Sequence, residues 1–427
     1  MSDTWQLCTS CGSEIPETDP HVRCPSCRGL LEVRHRPPAQ GGAALRAAFD
    51  ARWGVRRGVL ASGVWRYREA VLPSAATEDV LCYPEGNTPL LTSPAVARWA
   101  GTTGEALLLK HEGQNPTGSF KDRGMTVGVT QARRIGARAV ACASTGNTAA
   151  ALAAYAALGG LPALVLVPKG HVALGKLAQA LAYGARTLLV RGSFDQCLEL
   201  ADQASDRLGV YLLNSVNPFR LEGQKTIVLE LLQQLAWQPP DWIVVPAGNL
   251  GNTAAFGKAL AEACEWGVID RLPRLAAVQA EGAAPFALSF REGFARRHRV
   301  EAHTVATAIQ IGNPVSYDRA VRAVRDTNGV VIAVSDAEIL EAKAVVDGAG
   351  IGCEPASAAA IAGTRRLARD GVIKSGDRVV AILTGHVLKD PASVTHYHQE
   401  RDPAPPHANR PVEIDPHLDE VERAMSR

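Results

Sequence analysis

Short apolar runs alternate with Ala- and Leu-rich stretches from about residue 80 to about residue 395, and this alternation constrains the fold more than any other feature. Strands that alternate with helices predict α/β layering around mainly parallel sheets. Because domains usually hold ~100–200 residues, we expect two α/β domains here, the smaller at about 115–220. The predicted strands are 139–143, 163–167, 187–190, 242–246, 274–278, 330–334 and 378–383, and the helical patterns include 149–158, 174–183, 226–236 and 253–266.

The flanks of this region, 81–395, differ from it in composition. Residues 1–35 are rich in cysteine, residues 36–80 combine a Pro/Gly-rich start with a basic, Trp-containing stretch, and residues 396–427 are rich in His, Pro and charge. We interpret these flanks as a small cysteine-rich unit, a linker with packing helices, and a polar tail that wraps the surface or is disordered.

Charge and hydropathy argue against two classes of protein. The formal net charge of +2 is too close to neutral for a dedicated nucleic-acid or anionic-membrane surface. No apolar run reaches the ~18 residues of a membrane span, and residues 1–20 lack the apolar core of a signal peptide. We therefore expect a cytoplasmic protein whose 9 cysteines form no disulfide framework.

The segment 114–125 places a lysine near the start of a predicted helix, which Ser119 or a neighbour can cap. Lys121 then lies at the positive end of the helix dipole and two residues from Arg123, and both favour a neutral amine. Schiff-base chemistry requires a neutral amine. In isolation, however, a lysine is more often a solvated surface residue.

Three polar segments follow predicted strands, where open α/β sheets bind their ligands. In the Ser/Thr/Gly-rich turn 144–148, Asn147 supplies an amide that can donate to a phenolate or carboxylate oxygen. The Gly/Asn-rich turn 248–252 has the composition of a phosphate-binding loop but lacks GxGxxG and P-loop signatures. Thr384 follows the last predicted strand. Each segment taken alone is also explained as an ordinary capped turn.

Taken together and in this order, these segments resemble the pyridoxal 5'-phosphate (PLP) dependent enzymes of the tryptophan-synthase-β fold (fold type II), and among them the threonine synthase family. The resemblance covers residues 85–391 and implies two three-layer α/β domains with PLP between them, plus a small N-terminal zinc-ribbon-like unit. The matching stretches are SFKDRGM (119–125), ASTGNTAA (143–150), ALGKLAQA (173–180), NSVNPFRLEGQKT (214–226), PAGNLGN (246–252), EPASAA (354–359) and LTGHVLKDP (383–391).

The resemblance implies a role for each matching position. Lys121 would carry PLP as a Schiff base and then transfer protons, and Asn147 would donate to the phenolic oxygen of PLP. Thr384 would face the pyridine nitrogen, where a neutral hydroxyl does not force protonation of the ring as an aspartate would. The PLP phosphate would be held by Gly248, Asn249, Leu250, Gly251 and Asn252.

The implied reaction converts O-phospho-L-homoserine and water to L-threonine and phosphate, by γ-elimination and β-addition of water. An arginine fork suits a phosphate, and a dehydratase has no need of one. The residues implied to bind the substrate are Ser144, Thr145 and Thr148 for its carboxylate, and Asn214, Ser215 and Arg220 for its phosphate.

The substrate remains open at this stage. Val387 stands where the family usually has glycine, and we expect its Cβ to shift the loop after Thr384 and touch the substrate. Other fold type II activities, namely threonine or serine dehydratase, cysteate synthase and β-replacement enzymes, therefore stay as alternatives. A zinc-ribbon adaptor with a catalytically silent body is a third hypothesis, which the near-neutral charge and the intact lysine motif disfavour.

The resemblance also implies partners. The family is commonly dimeric, so we expect a homodimer. Its ligand would be a small phosphorylated amino acid, and we expect neither nucleic acid nor membrane as a partner.

Two CxxC pairs lie in the N-terminal unit, formed by Cys8, Cys11, Cys24 and Cys27. This spacing can place four thiolates tetrahedrally around Zn(II). Because so small a unit has no core of its own, the metal would supply its folding energy. A metal-free degenerate ribbon and a redox dithiol remain alternatives, and a zinc ion here would be structural.

Overall fold

The computed structural model describes residues 3–170 and 174–425, so that Met1, Ser2, 171–173 (with the first residue of the 173–180 motif) and 426–427 lie outside the described residues. The strands are β1 Thr4–Cys8, β2 Glu14–Pro16, β3 Leu31–His35, β4 Leu90–Thr92, β5 Leu107–His111, β6 Ala139–Ala143, β7 Ala163–Pro168, β8 Arg186–Val190, β9 Val210–Leu212, β10 Trp242–Pro246, β11 Arg274–Ala280, β12 Val330–Val334 and β13 Val379–Leu383.

Helices separate most of these strands. The α-helices are α1 Gly42–Trp53, α2 Arg68–Val71, α3 Pro94–Ala100, α4 Lys121–Arg134, α5 Asn147–Leu158, α6 Leu174–Ala182, α7 Phe194–Leu208, α8 Pro218–Gln234, α9 Gly251–Glu265, α10 Pro285–Arg291, α11 Tyr317–Asp326, α12 Asp336–Gly348, α13 Pro355–Arg369, α14 Pro391–Thr395 and α15 Leu418–Met425. Shorter 3-10 turns are Val59–Ala61, Trp65–Tyr67, Thr77–Asp79, Glu112–Gln114, Glu281–Ala283, Thr307–Ile309 and Val387–Lys389, and His396–Glu400 is a π-helical turn.

The larger domain is built on a six-stranded sheet of order β12-β11-β10-β13-β5-β4, parallel except for β4. Successive side chains of β10 pack on opposite faces, as the period of a strand requires. Ile243 and Val245 join one apolar core with α8 and α9, whereas Val244 joins another with α13. Both faces are thus covered, which explains why these strands read as continuous apolar runs.

The smaller domain has a four-stranded parallel sheet of order β8-β7-β6-β9. Its core unites Val140 and Cys142 of β6 with Met125 and Val129 of α4. With helices packed around both sheets, the prediction of a fold with two α/β domains is confirmed. The described residues contain no helix that is long and apolar enough to cross a membrane.

The N-terminal unit, β1 to β3 and their connections, packs on both domains. Its Val22 joins the core of the smaller domain, and its Val33 joins that of the larger domain. His35 Nε2 lies 2.9 Å from a carboxylate oxygen of Glu222 on α8. The unit therefore contacts both domains and connects them.

All seven strands predicted from the sequence are present, with ends that differ by at most two residues. Within the two α/β domains the predictions omitted β4, β5 and β9, of which two are only three residues long, and they gave no strands for the N-terminal unit. The helix predicted at 226–236 begins at Pro218, where Asn217 caps it. The tail contains α15 and the turns before it, which the sequence prediction did not include.

A cluster of charged side chains is buried between α4, α8 and β5. Glu230 accepts hydrogen bonds from Lys110 Nζ at 2.7 Å and from Arg123 Nη2 at 2.9 Å. Arg123 also donates to Glu112 at 2.7 Å. The cations hold the pKa of the Glu230 carboxyl well below its ordinary value despite the burial, which opposes this shift. Arg66 Nη2 also lies 3.5 Å from Glu230, so three cations and two carboxylates compensate one another within the cluster.

We predict that Glu230→Gln destabilises the fold by about 3–5 kcal/mol, because it leaves Glu112 as the one carboxylate among the three buried cations Arg66, Lys110 and Arg123. Glu341→Gln is the matched control, since Glu341 pairs with Arg365 at the surface, where such a pair contributes about 0–1 kcal/mol. Denaturant unfolding measures both variants. Equal, small losses would show that the cluster does not hold α4 and α8 in place.

Candidate active site

A cavity of about 1290 Å³ lies between the two α/β domains, at the carboxyl ends of the parallel strands. The turns after β6, β10 and β13 open into it. It contains all the residues that the sequence suggested for cofactor and substrate binding: Lys121, Ser144, Thr145, Asn147, Thr148, Asn214, Ser215, Arg220, Gly248, Asn249, Leu250, Gly251, Asn252 and Thr384.

Lys121 is the first residue of α4, and backbone contacts fix the segment before it. Phe120 N donates to Thr384 O at 3.0 Å, and Ser119 forms an isolated bridge with Gly385. The cap predicted for Ser119 is only a weak contact, since its hydroxyl accepts from Lys121 N at 3.4 Å. The Lys121 amine lies 4.2 Å from the centre of the Phe120 ring.

Burial and, after it, the guanidinium of Arg220 lower the pKa of Lys121 to about 7, while the Glu354 carboxyl opposes the shift. The expectation that Arg123 would lower it was wrong. The guanidinium of Arg123 points into the buried cluster, where Glu112 and Glu230 neutralise it. Neighbours in sequence on a helix point in different directions, so the cation that acts on the amine comes from α8.

The turn 248–252 leads into α9 with an uncapped helix start. Leu250 adopts the left-handed conformation, φ 63°, and the helix has neither a side-chain cap nor an acidic residue in its first turn. Gly248 is required because a Cβ there would lie 2.8 Å from Ile309 Cα. Asn249 holds the turn by accepting from Val315 N at 2.7 Å. Such a helix start attracts anions through its free N–H groups and its dipole.

Asn147 of the smaller domain and Thr384 of the larger domain both line the cavity and share a partner that the sequence analysis missed. Asn147 Nδ2 donates to Glu354 Oε2 at 2.9 Å, and Thr384 Oγ1 donates to Glu354 Oε1 at 3.3 Å. Burial raises the pKa of Glu354 above its ordinary value. The available signal was the acidic residue before Pro355 in the motif 354–359, to which no role had been given.

Arg220, which the sequence analysis assigned to the substrate phosphate, is buried and incompletely bonded. Its Nη1 donates to Leu213 O at 3.1 Å, but Nε and Nη2 have no partner among the described residues. Asn214 is used differently, because its amide pairs with both backbone groups of Ala143, each at 2.9 Å. The guanidinium therefore offers two free donors, whereas Asn214 fixes the end of β6.

The hydroxyls that the sequence analysis assigned to the substrate lie at the start of α5 and before α8. Ser144, Thr145, Thr148 and Ser215 are partly exposed to the cavity. The Ser144 hydroxyl accepts from Gly146 N at 3.3 Å, which shapes the turn.

Contrary to the expectation from the sequence, Val387 does not line the cavity. Its side chain packs against Gly352. Lys389, two residues later, does line the cavity and hydrogen-bonds to Gln179 of α6. Burial lowers the pKa of Lys389. The side chain at position 387, where the sequence departs from the family pattern, is therefore not part of the cavity surface.

The four N-terminal cysteines come together outside this cavity. Their Sγ atoms all lie within 4.8 Å of one another. Two geometric details support the arrangement: Gly12 takes φ 74° after the first CxxC pair, and a Cβ on Gly29 would lie 3.0 Å from Cys8 Sγ.

Comparison with known proteins agrees with the geometry. Residues 81–385 match the model of the pyridoxal-phosphate dependent enzymes. The chain is 43% identical to a threonine synthase of Methanosarcina acetivorans over 98% of both chains, and 48% identical to one of Synechocystis sp. over 75% of this chain and 81% of the other. The chain belongs to the threonine synthase family of PLP-dependent enzymes. The solved structure of Escherichia coli threonine synthase has the same fold, with a TM-score of 0.71, 18% identity, and coverage of 97% of this chain and 94% of that one.

The lowered pKa makes the Lys121 amine largely neutral in mildly alkaline solution. In the cofactor-free protein, we expect acetylation of this amine to rise with pH around a midpoint near 7, since the neutral form dominates above its lowered pKa. Mass spectrometry after brief labelling from pH 5.5 to 10 measures it, with Nα-acetyl-lysine as reference.

Arg220→Met should move this midpoint to higher pH, because it removes a cation, whereas Arg220→Lys should not. A midpoint near the ~10.4 of an ordinary lysine in the unmodified protein would contradict the electrostatic argument.

Proposed function

We propose that this chain catalyses the conversion of O-phospho-L-homoserine and water to L-threonine and phosphate. The observation that carries the proposal is the pairing of two features in one cavity: an amine poised for Schiff-base chemistry at Lys121, and a buried guanidinium with two free donors at Arg220. A dehydratase or racemase substrate has no phosphate that would use the second feature.

The residues present fit PLP. The uncapped start of α9 suits its phosphate, and the buried Thr253 hydroxyl, which can donate to a phosphate oxygen, has no partner among the described residues. Gly248, Asn249, Leu250, Gly251 and Asn252 would hold the phosphate, Asn147 the phenolic oxygen and Thr384 the pyridine nitrogen. When bound, PLP supplies an electron sink for the pair that remains when a substrate Cα–H bond breaks.

The side chains of this chain handle protons and charge. With a pKa near 7, Lys121 Nζ can take the proton from the substrate Cα and later return a proton to the product. The guanidinium of Arg220, with Ser215 beside it, binds the phosphate and stabilises its departure from Cγ. The hydroxyls of Ser144, Thr145 and Thr148 hold the substrate carboxylate, with Asn214 fixing the adjoining strand end.

We predict that Arg220→Ala lowers kcat/KM for O-phosphohomoserine by about 30-fold or more, since a buried charged hydrogen-bond partner contributes about 2 kcal/mol or more. Threonine formation and phosphate release are measured from pH 7 to 9.5, so that a changed pKa of Lys121, which alters the pH profile, is separated from lost phosphate binding, which lowers kcat/KM at every pH. Arg220→Lys, which keeps the charge but not the fork, should be intermediate.

Uptake of PLP, followed by visible absorbance, should change little in Arg220→Ala, and Lys121→Ala should abolish both turnover and the visible band. An unchanged kcat/KM in Arg220→Ala would refute the phosphate assignment. Activity of Lys121→Ala would refute the mechanism.

We also propose that Cys8, Cys11, Cys24 and Cys27 hold one structural zinc ion. The support is their mutual Sγ distances and the size of the apolar core around them, which comprises only Cys8, Ile15, Cys24 and Leu31. So small a core supplies little folding energy, and four thiolates suit tetrahedral zinc.

Metal analysis should therefore find about one zinc ion per chain. A Cys8→Ser/Cys11→Ser variant should lose it and should lose hydrogen-exchange protection in residues 3–35. Cys82→Ser, outside the cluster, is the matched control and should keep both. Metal-free protein with a fully protected N-terminal unit would rule out the zinc site.

Two further features belong to the proposal. We propose a homodimer, as the family resemblance implies, with sedimentation velocity as its test. We propose a cytoplasmic location, which is supported by nine cysteines that are all unpaired by disulfides. The ligand is the phosphorylated amino acid, without nucleic-acid or membrane partners.

A further inference from the structure

The carboxyl of Glu354 lies where the two domains meet, behind both side chains that are proposed to contact the PLP ring. Asn147 begins α5 of the smaller domain, and Thr384 follows β13 of the larger domain. Glu354 Oε2 accepts from Asn147 Nδ2 at 2.9 Å, and Glu354 Oε1 accepts from Thr384 Oγ1 at 3.3 Å. A single buried side chain thus links two contacts that the sequence separates by more than 200 residues.

No basic side chain forms a salt bridge with Glu354 within the described part of the chain. The charged groups that face it are the amines of Lys121 on α4 and Lys389 after β13, both at longer range. Of the titratable neighbours on adjoining segments, Cys353 stays neutral because burial raises the pKa of its thiol, and His386 lines the same cavity. Burial without a bonded cation favours the neutral acid.

The Thr384 hydroxyl has one proton to donate and lies between two oxygens. Its second neighbour is Ser357 Oγ at 3.0 Å, which itself accepts from Gly385 N at 2.9 Å. An ionised Glu354 can only accept, and the Thr384 hydroxyl that donates to it presents a lone pair to a ligand. A neutral Glu354 can donate to Thr384, which frees the threonine proton for the ligand.

We propose that Glu354 is a positioning residue whose charge state sets the direction of the Thr384 hydroxyl, and so decides whether the pyridine nitrogen of PLP meets a donor or an acceptor. This inference rests on the proposed placement of PLP. In the neutral state the ring nitrogen receives a hydrogen bond and stays unprotonated, which weakens the electron sink. Ionisation of Glu354 withdraws that hydrogen bond. Glu354 therefore tunes the cofactor without contacting its ring nitrogen, through its hydrogen bond to the Thr384 hydroxyl.

The test is ¹⁵N NMR of the loaded full chain with PLP labelled at the ring nitrogen, recorded from pH 5 to 9. In the unmodified protein the ring signal should shift with pH as Glu354 ionises. Glu354→Gln mimics the neutral acid, because its amide oxygen still accepts from Asn147 and its NH₂ donates to Thr384. This variant should hold the signal at the low-pH position of the unmodified protein throughout.

Glu85→Gln is the matched control, since Glu85 is equally buried but bonds Ser62 and Tyr155 away from the cavity. It should keep the pH profile of the unmodified protein. If Glu354 served only to hold Asn147, Glu354→Gln would also keep that profile, and an identical profile in the two proteins overturns the proposal. So does a pH-independent signal in the unmodified protein.

Failure of the proposed function would look different from failure of this inference. If PLP is not held by Lys121, borohydride leaves that residue unmodified and no bound ring signal exists in any variant. If only the inference fails, PLP is bound and reduced onto Lys121, but its ring signal responds to pH in the same way with Glu354 or glutamine.

Discussion

Backbone hydrogen bonds between the segment before Lys121 and the segment after β13 determine the geometry of the whole site. Phe120 N donates to Thr384 O at 3.0 Å, and His386 N donates to Gly118 O at 2.9 Å. The segments that carry the Lys121 amine and the Thr384 hydroxyl are thereby fixed to each other and to the buried sheet of the larger domain. Backbone contacts of this kind hold catalytic groups in place more tightly than loops that only approach each other.

Two buried arginines near this site, Arg123 and Arg220, differ in the groups that surround them. Arg123 is enclosed with Glu112 and Glu230, so its charge contributes to the stability of the fold and not to the cavity. Arg220 has no carboxylate partner in the described chain, so its charge acts on Lys121 and remains available to an anion. Arginine thus stabilises the fold at position 123, where carboxylates surround it. At position 220, where none pairs with it, it provides a positive charge for an anionic ligand.

The sequence predicted the parts of this structure that depend on local pattern. Fully buried parallel strands appear as apolar runs, so β6, β10 and β12 were predicted with the same ends that the structure shows, and the polar segments that follow strands line one cavity. Contacts between distant segments left no such pattern. The link from Asn147 to Glu354, the direction of Arg123 and the packing of Val387 against Gly352 all depend on tertiary structure, which neither periodicity nor motif order contains.

The N-terminal unit contacts both domains, and these tertiary contacts bear on the width of the cavity between them. Arg23, which lines the cavity, lies 4.0 Å from Asp202 on α7 of the smaller domain. On the other side, the unit bonds to the larger domain through Glu32 and Arg322. A body anchored on both sides limits how far the two domains can separate before one set of contacts breaks. Because the apolar core of the N-terminal unit is so small, this limit depends on the interactions that stabilise its three strands and hold its four cysteines together.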